Sequence, residues 1–310
     1  MTNKQVKARI SSFVFQSLLP KRKSIQLGYE PTYYGASYVI AQSLKLKTYN
    51  PSSCYVWTHG CRLIGPDDVR YYIRFPQLKG NILVARQDEK HFLEDAGFSH
   101  VHAVGMPIAY TQPTNERRRK NSLLVMPPHA TLHSRPTQEI GGYLDFVCGL
   151  REKFSIVACC VSRQCYQSSS IRSLFMKRGI PVIVGAAIDD GRSLARTRSI
   201  LESFEYVTTN AYGSHLAYAM AFGAKVSLAG PIYWPRPSDL QKEPFYQENP
   251  DLIDHSFLKE QVRRLEKAFE RLCVDPWRAE QNILWGRKLI GADNVRPHRD
   301  VGKLLGLAGA

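Results

Sequence analysis

The chain has 310 residues, 44% hydrophobic and 22% charged, with a formal net charge of +15. That length suits two ordinary domains, and the balance excludes a disordered chain; no apolar run is long enough to be a membrane span. The excess positive charge calls for an acidic partner: nucleic acid, an anionic membrane surface or a phosphorylated substrate.

The first residues carry Lys4, Lys7 and Arg9 without a continuous apolar core or a small-residue cleavage site, so no signal peptide is expected. Seven cysteines at irregular spacing, with no CxxC pair, predict reduced thiols in the cytoplasm rather than a disulfide frame or a structural zinc. Residues 4–19 place Val6, Ile10, Phe13, Val14 and Leu18 on one helical face, with Lys21, Arg22 and Lys23 following. Such a helix either packs on its own domain or lies on an anionic bilayer.

Residues 24–28 read as a short strand, 28–35 (GYEPTYYG) as an aromatic loop and 36–46 as a helix. Strands are expected at 55–58, 81–85 and 101–105, with a β-prone run at 71–75 and a helix at 87–96. Residues 111–121, with Pro113 and the run Arg117 to Lys120, read as a solvated linker. Beyond it, strands at 122–126, 154–161, 181–184, 206–209 and 225–228 alternate with helices, as in a doubly wound α/β domain. The loop SRQCYQSSS follows the second of these strands and GAAIDDG the third. A Pro- and aromatic-rich loop at 233–250 precedes a helix bearing Leu258, Val262, Leu265, Phe269 and Leu272. Asp275 and Pro276 then suit the cap and first turn of a last helix through Leu289.

Residues 206–231, YVTTNAYGSHLAYAMAFGAKVSLAGP, organise the second half: strand, polar turn, helix, glycine stop, strand. A turn at the carboxyl end of a strand and the amino end of a helix presents unpaired N–H groups that favour an anion. By its residues alone it is a ligand crevice or a plain N-cap.

The same stretch resembles the donor-side turn of the GT-B glycosyltransferase superfamily. VWTHGC at 56–61 is similar to the Trp-His-Gly element in the acceptor domain of its glycerophosphotransferase-like and capsule-polymer branches, and 81–110 is similar to the end of a GT-B first domain. Together these span most of residues 24–231, and the tail looks like the closing helices of bacterial surface-polysaccharide transferases. The resemblance implies an α/β fold of two Rossmann-like, doubly wound domains facing a cleft. The acceptor domain would cover 1–115, the nucleotide-sugar domain 116–274, and a helical tail at 275–310 would pack back on the first domain. Asp189-Asp190-Gly191 matches an acid-acid-glycine motif of bacterial sialyltransferases but falls in the other domain, so its base role is not carried over.

Glycosyl transfer needs a base for the acceptor hydroxyl and positive charge for the departing phosphate. His59, at a strand end, is the first candidate base; the alternative is a structural histidine bonded to a turn carbonyl. Glu30 is second, as base or as orienter of His59, whereas Asp67 and Asp68 suit a turn. Donor contacts are expected from His129, His133, Ser134, Arg163, Asn210, Tyr212, Gly213, Ser214 and His215, with Arg163 neutralising a phosphate held by the Gly213 and Ser214 amides. Prolines around His129 and His133 disfavour a zinc pair on a helix, and no metal or resident cofactor is expected.

The expected activity is metal-independent sugar transfer from a nucleotide donor to a lipopolysaccharide or capsule glycan, free or lipid-linked, in the cytoplasm or at the inner face of the membrane. Rivals are a nucleotide-sugar epimerase, a glycerophosphotransferase of the same fold, a non-catalytic sugar-nucleotide-binding subunit, and a basic nucleic-acid-binding protein. Scattered basic residues and the absence of a helix-turn-helix, zinc-finger or RNP-like motif argue against the last, so no nucleic-acid partner is expected.

Overall fold

The computed structural model describes residues 2–74, 79–114, 117–128, 140–168 and 170–310. Its first half holds α1 (Asn3–Leu18), α2 (Ala36–Ser43), β1 (Cys54–Trp57), β2 (Asn81–Val84), α3 (Gln87–Asp95) and β3 (Val101–Ala103). The second holds β4 (Arg119–Val125), α4 (Gly141–Gly149), β5 (Ile156–Val161), α5 (Arg163–Gln167), α6 (Ser170–Lys177), β6 (Val182–Val184), α7 (Ser193–Ser203), β7 (Phe204–Thr209), α8 (Ser214–Ala221) and β8 (Lys225–Leu228). Five helices close the chain: α9 (Pro237–Leu240), α10 (Pro244–Glu248), α11 (His255–Phe269), α12 (Ile283–Leu289) and α13 (His298–Leu305).

The strands form two parallel sheets, β1-β2-β3 and β6-β5-β4-β7-β8. Within the larger sheet the strands therefore run third, second, first, fourth, fifth in chain order, and the direction reverses between β4 and β7. Loops leaving the carboxyl ends of those two strands diverge and leave a crevice, the usual ligand position in a Rossmann-like sheet. Alternation along β4 explains its burial on both faces. Leu123 and Val125 meet Tyr143 and Phe175 under one helical layer, while Leu124 joins a core continuous with Trp57 and Leu83 of the smaller sheet. The adjacent Cys159 and Cys160 fall on these opposite faces, and all seven cysteines are free.

The termini cross between the sheets. Helix α1 packs on β6 and α6, α12 lies on α8, and α13 lies on α2. The turn joining α12 to α13 wedges against the smaller sheet. Met106 N–H donates to the Ile290 carbonyl at 2.9 Å, and a Cβ on Gly291 (φ +64°) would stand 1.9 Å from the Ala85 carbonyl oxygen.

Several sequence expectations are corrected. Residues 24–28 form no strand; Ser24 makes a lone antiparallel bridge to Asp190. The β-prone run near 71 begins as a 3-10 turn, Val69–Tyr71, because the Asp68 carboxylate accepts the Arg70 N–H at 2.9 Å and caps it. The basic run is not a solvated linker: β4 starts at Arg119, and Arg118 donates to the carbonyls of Leu201, Phe204 and Phe222. The loop after β5 opens with α5, capped by the Ser162 hydroxyl. Asp275 precedes only a 3-10 turn, Pro276–Arg278, and two helices follow.

Replacing Gly291 by alanine adds left-handed backbone strain of about 1–2 kcal/mol to a clash with backbone that cannot move aside. Gly97 has a similar φ of +88° but open space around it. Urea unfolding should therefore show Gly291→Ala losing clearly more stability than Gly97→Ala; equal losses would mean that the tail is not seated against Ala85.

Candidate functional site

The site forms where the carboxyl end of β1 meets the amino end of α8. Pairing of β1 with β2 continues to Thr58, whose N–H reaches the Leu83 carbonyl at 3.0 Å, and the chain then turns through His59, Gly60 and Cys61. Cys61 N–H donates to Ser214 Oγ at 2.8 Å, and the Tyr218 hydroxyl donates to the His59 carbonyl at 2.9 Å. Two residues one helical turn apart on α8 thus hold the strand end, and both bonds cross from one sheet to the other.

The His59 ring lies against Tyr33 and Tyr34, with centroids 5.6 and 5.5 Å away, and its buried Nδ1 has no hydrogen-bond partner among the described residues. Burial, helped by the Arg74 charge, pulls its pKa down to about 4, so the ring is neutral at ordinary pH. Glu30 opens the 3-10 turn Glu30–Gly35 and is buried. Burial pushes its carboxyl up to about 7, opposed by Arg74, whose Nε stands 3.5 Å from Oε1. Arg74 is half exposed, which dilutes its charge with solvent and explains why desolvation wins. Tyr34 carries left-handed backbone, φ 56°, held by its N–H on the Ile188 carbonyl at 2.8 Å. Strain of this kind in a non-glycine residue is typical of functional loops.

On the donor side, Asn210 is buried at the end of β7. Its Nδ2 donates to the Pro231 carbonyl at 2.7 Å, while Oδ1 has no partner among the described residues. Tyr212 stacks on Trp234 at 4.8 Å and 24°, an aromatic wall beside the turn. His215 Nε2 lies 3.0 Å from Thr209 Oγ1, which ties the first turn of α8 to β7. Gly213 precedes α8 in extended backbone, and a Cβ there would meet the His215 ring at 2.9 Å.

Arg163 departs from its expected setting. Its guanidinium holds Asp189 at 3.0 Å, and Asp189 also takes Arg22 at 2.5 Å. A phosphate there would have to compete with a carboxylate already in place. His129, His133 and Ser134 lie outside the described residues.

Sequence reasoning missed three members of this neighbourhood: Arg74, Tyr218 and the strained Tyr34. It also missed a zipper along one side, where Arg62 holds Asp67 at 2.6 Å, Gln261 reaches the same carboxylate, and Arg70 joins Asp68 to Asp251 at 2.7 and 2.8 Å. Asp67 and Asp68 had a legible turn role; their partners lie far along the chain. Among the described residues no three His, Cys, Asp or Glu side chains gather into a metal-holding group, and no helix is long and apolar enough to cross a membrane.

The Glu30 shift has a sign that can be measured. A carboxyl raised in the folded state contributes stability that is full below its ordinary 4.5 and lost as pH climbs through about 7. At about 1.4 kcal/mol per pH unit, that loss is on the order of 3 kcal/mol. Urea melts across this range should show Glu30→Gln retaining stability on the alkaline side where the native chain loses it. Parallel pH profiles for the two proteins would place the carboxylate in solvent. His59 acts at the other end: with its pKa lowered from 6.5 to about 4, its contribution is lost as pH falls through that window.

No protein-family model and no curated protein matches the chain. Among solved structures it is similar to the S. aureus MnaA–UDP co-structure, at 13% identity over 76% of this chain and 63% of that one, with a TM-score of 0.36. It is also similar to a S. aureus TarM mutant in complex with fondaparinux, α-GlcNAc-glycerol and UDP, at 11% identity over 83% of this chain and 50% of that one, with a TM-score of 0.33. The chain thus spans less than two thirds of either structure's length.

Proposed function

We propose that the chain is a GT-B-type glycosyltransferase, moving a sugar from a nucleotide-activated donor to a surface-polysaccharide acceptor such as lipopolysaccharide or capsule glycan, without a metal. The observation that carries this reading is the junction of β1 with α8, bonded from Cys61 to Ser214 and from Tyr218 to His59. It sets a buried carboxyl and a neutral imidazole on one side of an anion-favouring helix start. Residues 1–115 would serve the acceptor, 116–274 the donor, and 275–310 would tie the two together.

In this reading Glu30 takes the proton from the acceptor hydroxyl. A carboxyl with a pKa near 7 is matched to that task, whereas an imidazole pulled to about 4 is a weak base. His59, neutral throughout, orients the hydroxyl through its free Nδ1. The acceptor oxygen forms a bond to the anomeric carbon as the bond from that carbon to the donor phosphate breaks. The departing phosphate takes up the charge against the Gly213 and Ser214 amides. Asn210 Oδ1 and the Tyr212–Trp234 wall would contact the rest of the donor.

A thermal-shift panel of CMP, UDP, GDP, dTDP and their sugar conjugates tests this. A ligand at about 100 times its Kd stabilises by roughly 2.7 kcal/mol. One nucleotide class should shift the melting temperature at moderate salt. Gly213→Asp, which puts a carboxylate at the helix start, should abolish that shift, with circular dichroism showing that the chain still folds once the His215 ring gives way to the new Cβ. With the donor so identified, Glu30→Gln should lower turnover by about 10²–10⁴-fold and remove a rate increase centred near pH 7. Stabilisation by DNA or RNA and by no nucleotide sugar would overturn the proposal.

A further inference from the structure

The first 29 residues contain no Asp or Glu, and they include a helix with an unpartnered apolar face. Helix α1 begins with a capping box between Thr2 and Gln5, and Ser12 Oγ accepts the Val182 N–H at 2.8 Å, pinning the helix to edge strand β6. With that side fixed, Phe13, Val14 and Leu18 point outward, 75%, 50% and 51% exposed. Lys4, Lys7, Lys21 and Lys23 are exposed around them. Of the basic residues just after the helix, Arg22 is the one paired with a carboxylate, that of Asp189.

Behind the helix the apolar surface continues inward. A cavity of about 360 Å³ is lined by Phe15, Leu18, Leu19, Ile183, Ile200 and Phe204. Arg119 also lines it, its guanidinium 5.0 Å from the centre of the Phe15 ring and without an ion pair among the described residues. Leu18 belongs both to the exposed face and to the cavity wall, so the two are one surface. An apolar stripe with a cationic rim, beside a hollow whose charged lining group among the described residues is an arginine, complements acyl chains beneath anionic headgroups. It does not complement a nucleic acid, which offers no aliphatic surface.

We infer that α1 docks this chain on an anionic lipid bilayer, with Phe13, Val14 and Leu18 inserted among the acyl chains and the lysines at the headgroup level. This does not rest on the glycosyltransferase reading. Leu18 stands on the amino-end side of the larger sheet, in the cavity with Arg119 and Phe204 where β4 and β7 begin, while Arg22 and Lys23 continue to the carboxyl end, at Asp189 and Asp190.

The test is co-sedimentation of the full chain with vesicles of phosphatidylcholine alone or mixed with phosphatidylglycerol, beside its oligomeric state by light scattering. Binding to the mixed vesicles should exceed binding to phosphatidylcholine by about tenfold or more and weaken with salt. Phe13→Asp combined with Val14→Asp should reduce it at least as far while circular dichroism shows the chain still folded, since both side chains are exposed and neither lines the cavity. Phe13→Trp should show a blue-shifted emission on the mixed vesicles. The inference fails if no vesicle is bound at low salt, or if the double substitution leaves binding intact. It also fails if the chain is a dimer that this substitution dissociates, for the face would then belong to a second copy.

Discussion

Much of this architecture depends on two hydrogen bonds between the sheets, from Cys61 N–H to Ser214 Oγ and from the Tyr218 hydroxyl to the His59 carbonyl. A neutral hydrogen bond is worth about 1 kcal/mol net, so these two do not hold the halves together by strength. Their role is geometric. The core that joins Trp57 and Leu83 to Leu124 and Leu216 supplies the attraction, and apolar contact has no preferred direction. The bonds choose one register from those the core would tolerate, and that register brings the end of β1 to the start of α8.

Once the strand end is fixed there, the polar groups around it are buried with few partners. Among the described residues His59 Nδ1 and Asn210 Oδ1 have none, and Glu30 faces an arginine 3.5 Å away and half exposed. Each such group costs a fold roughly 1–3 kcal/mol. The structural asparagine and glutamate elsewhere in the chain are treated differently. Asn294 gives its Nδ2 to the Ala85 carbonyl, and Glu89 accepts the N–H groups of Ala85 and Arg86 while facing the Arg86 guanidinium. Buried polar atoms without a partner among the described residues also occur away from the junction, at Gln16, Ser37, Tyr143 and His298. What distinguishes the junction is that two such atoms, on His59 and Asn210, lie on its two sides together with the buried Glu30 carboxyl.

The elements legible in the sequence are those decided locally. Strands β4, β5, β7 and β8 show as apolar runs, and α8 shows through its small residues and the Gly223 stop. The carboxyl-end turn at 210–213 could be placed from that order alone. What was not legible depends on partners far along the chain. Arg118 looked solvated because the carbonyls it caps, at Leu201, Phe204 and Phe222, are about a hundred positions away. Arg163 looked free because Asp189 is brought beside it only when β6 pairs with β5. Residues 24–28 had strand composition, yet their neighbour is the 188–191 loop rather than an open sheet edge, so a single bridge forms. The opposite directions in which burial moves the pKa values of His59 and Glu30 were equally hidden, since composition does not report burial.

The same distinction applies to the charge. With 42 basic residues against 27 acidic, the sequence reads as a uniformly cationic surface. In the fold many arginines are occupied: Arg118 on carbonyls, Arg62 and Arg70 in the zipper beside the site, Arg196 and Arg198 on Asp190 and Glu202. An ion pair cancels its own field, so these residues give little long-range attraction to any partner. The uncancelled charge gathers where acids are missing, and the first acidic residue of the chain is the buried Glu30. Over the first 29 residues the positive charge therefore meets no acid of its own segment, next to the side chains of Phe13, Val14 and Leu18. Charge that attracts a surface and apolar groups that can enter it occupy one continuous segment, from Lys4 to Lys23.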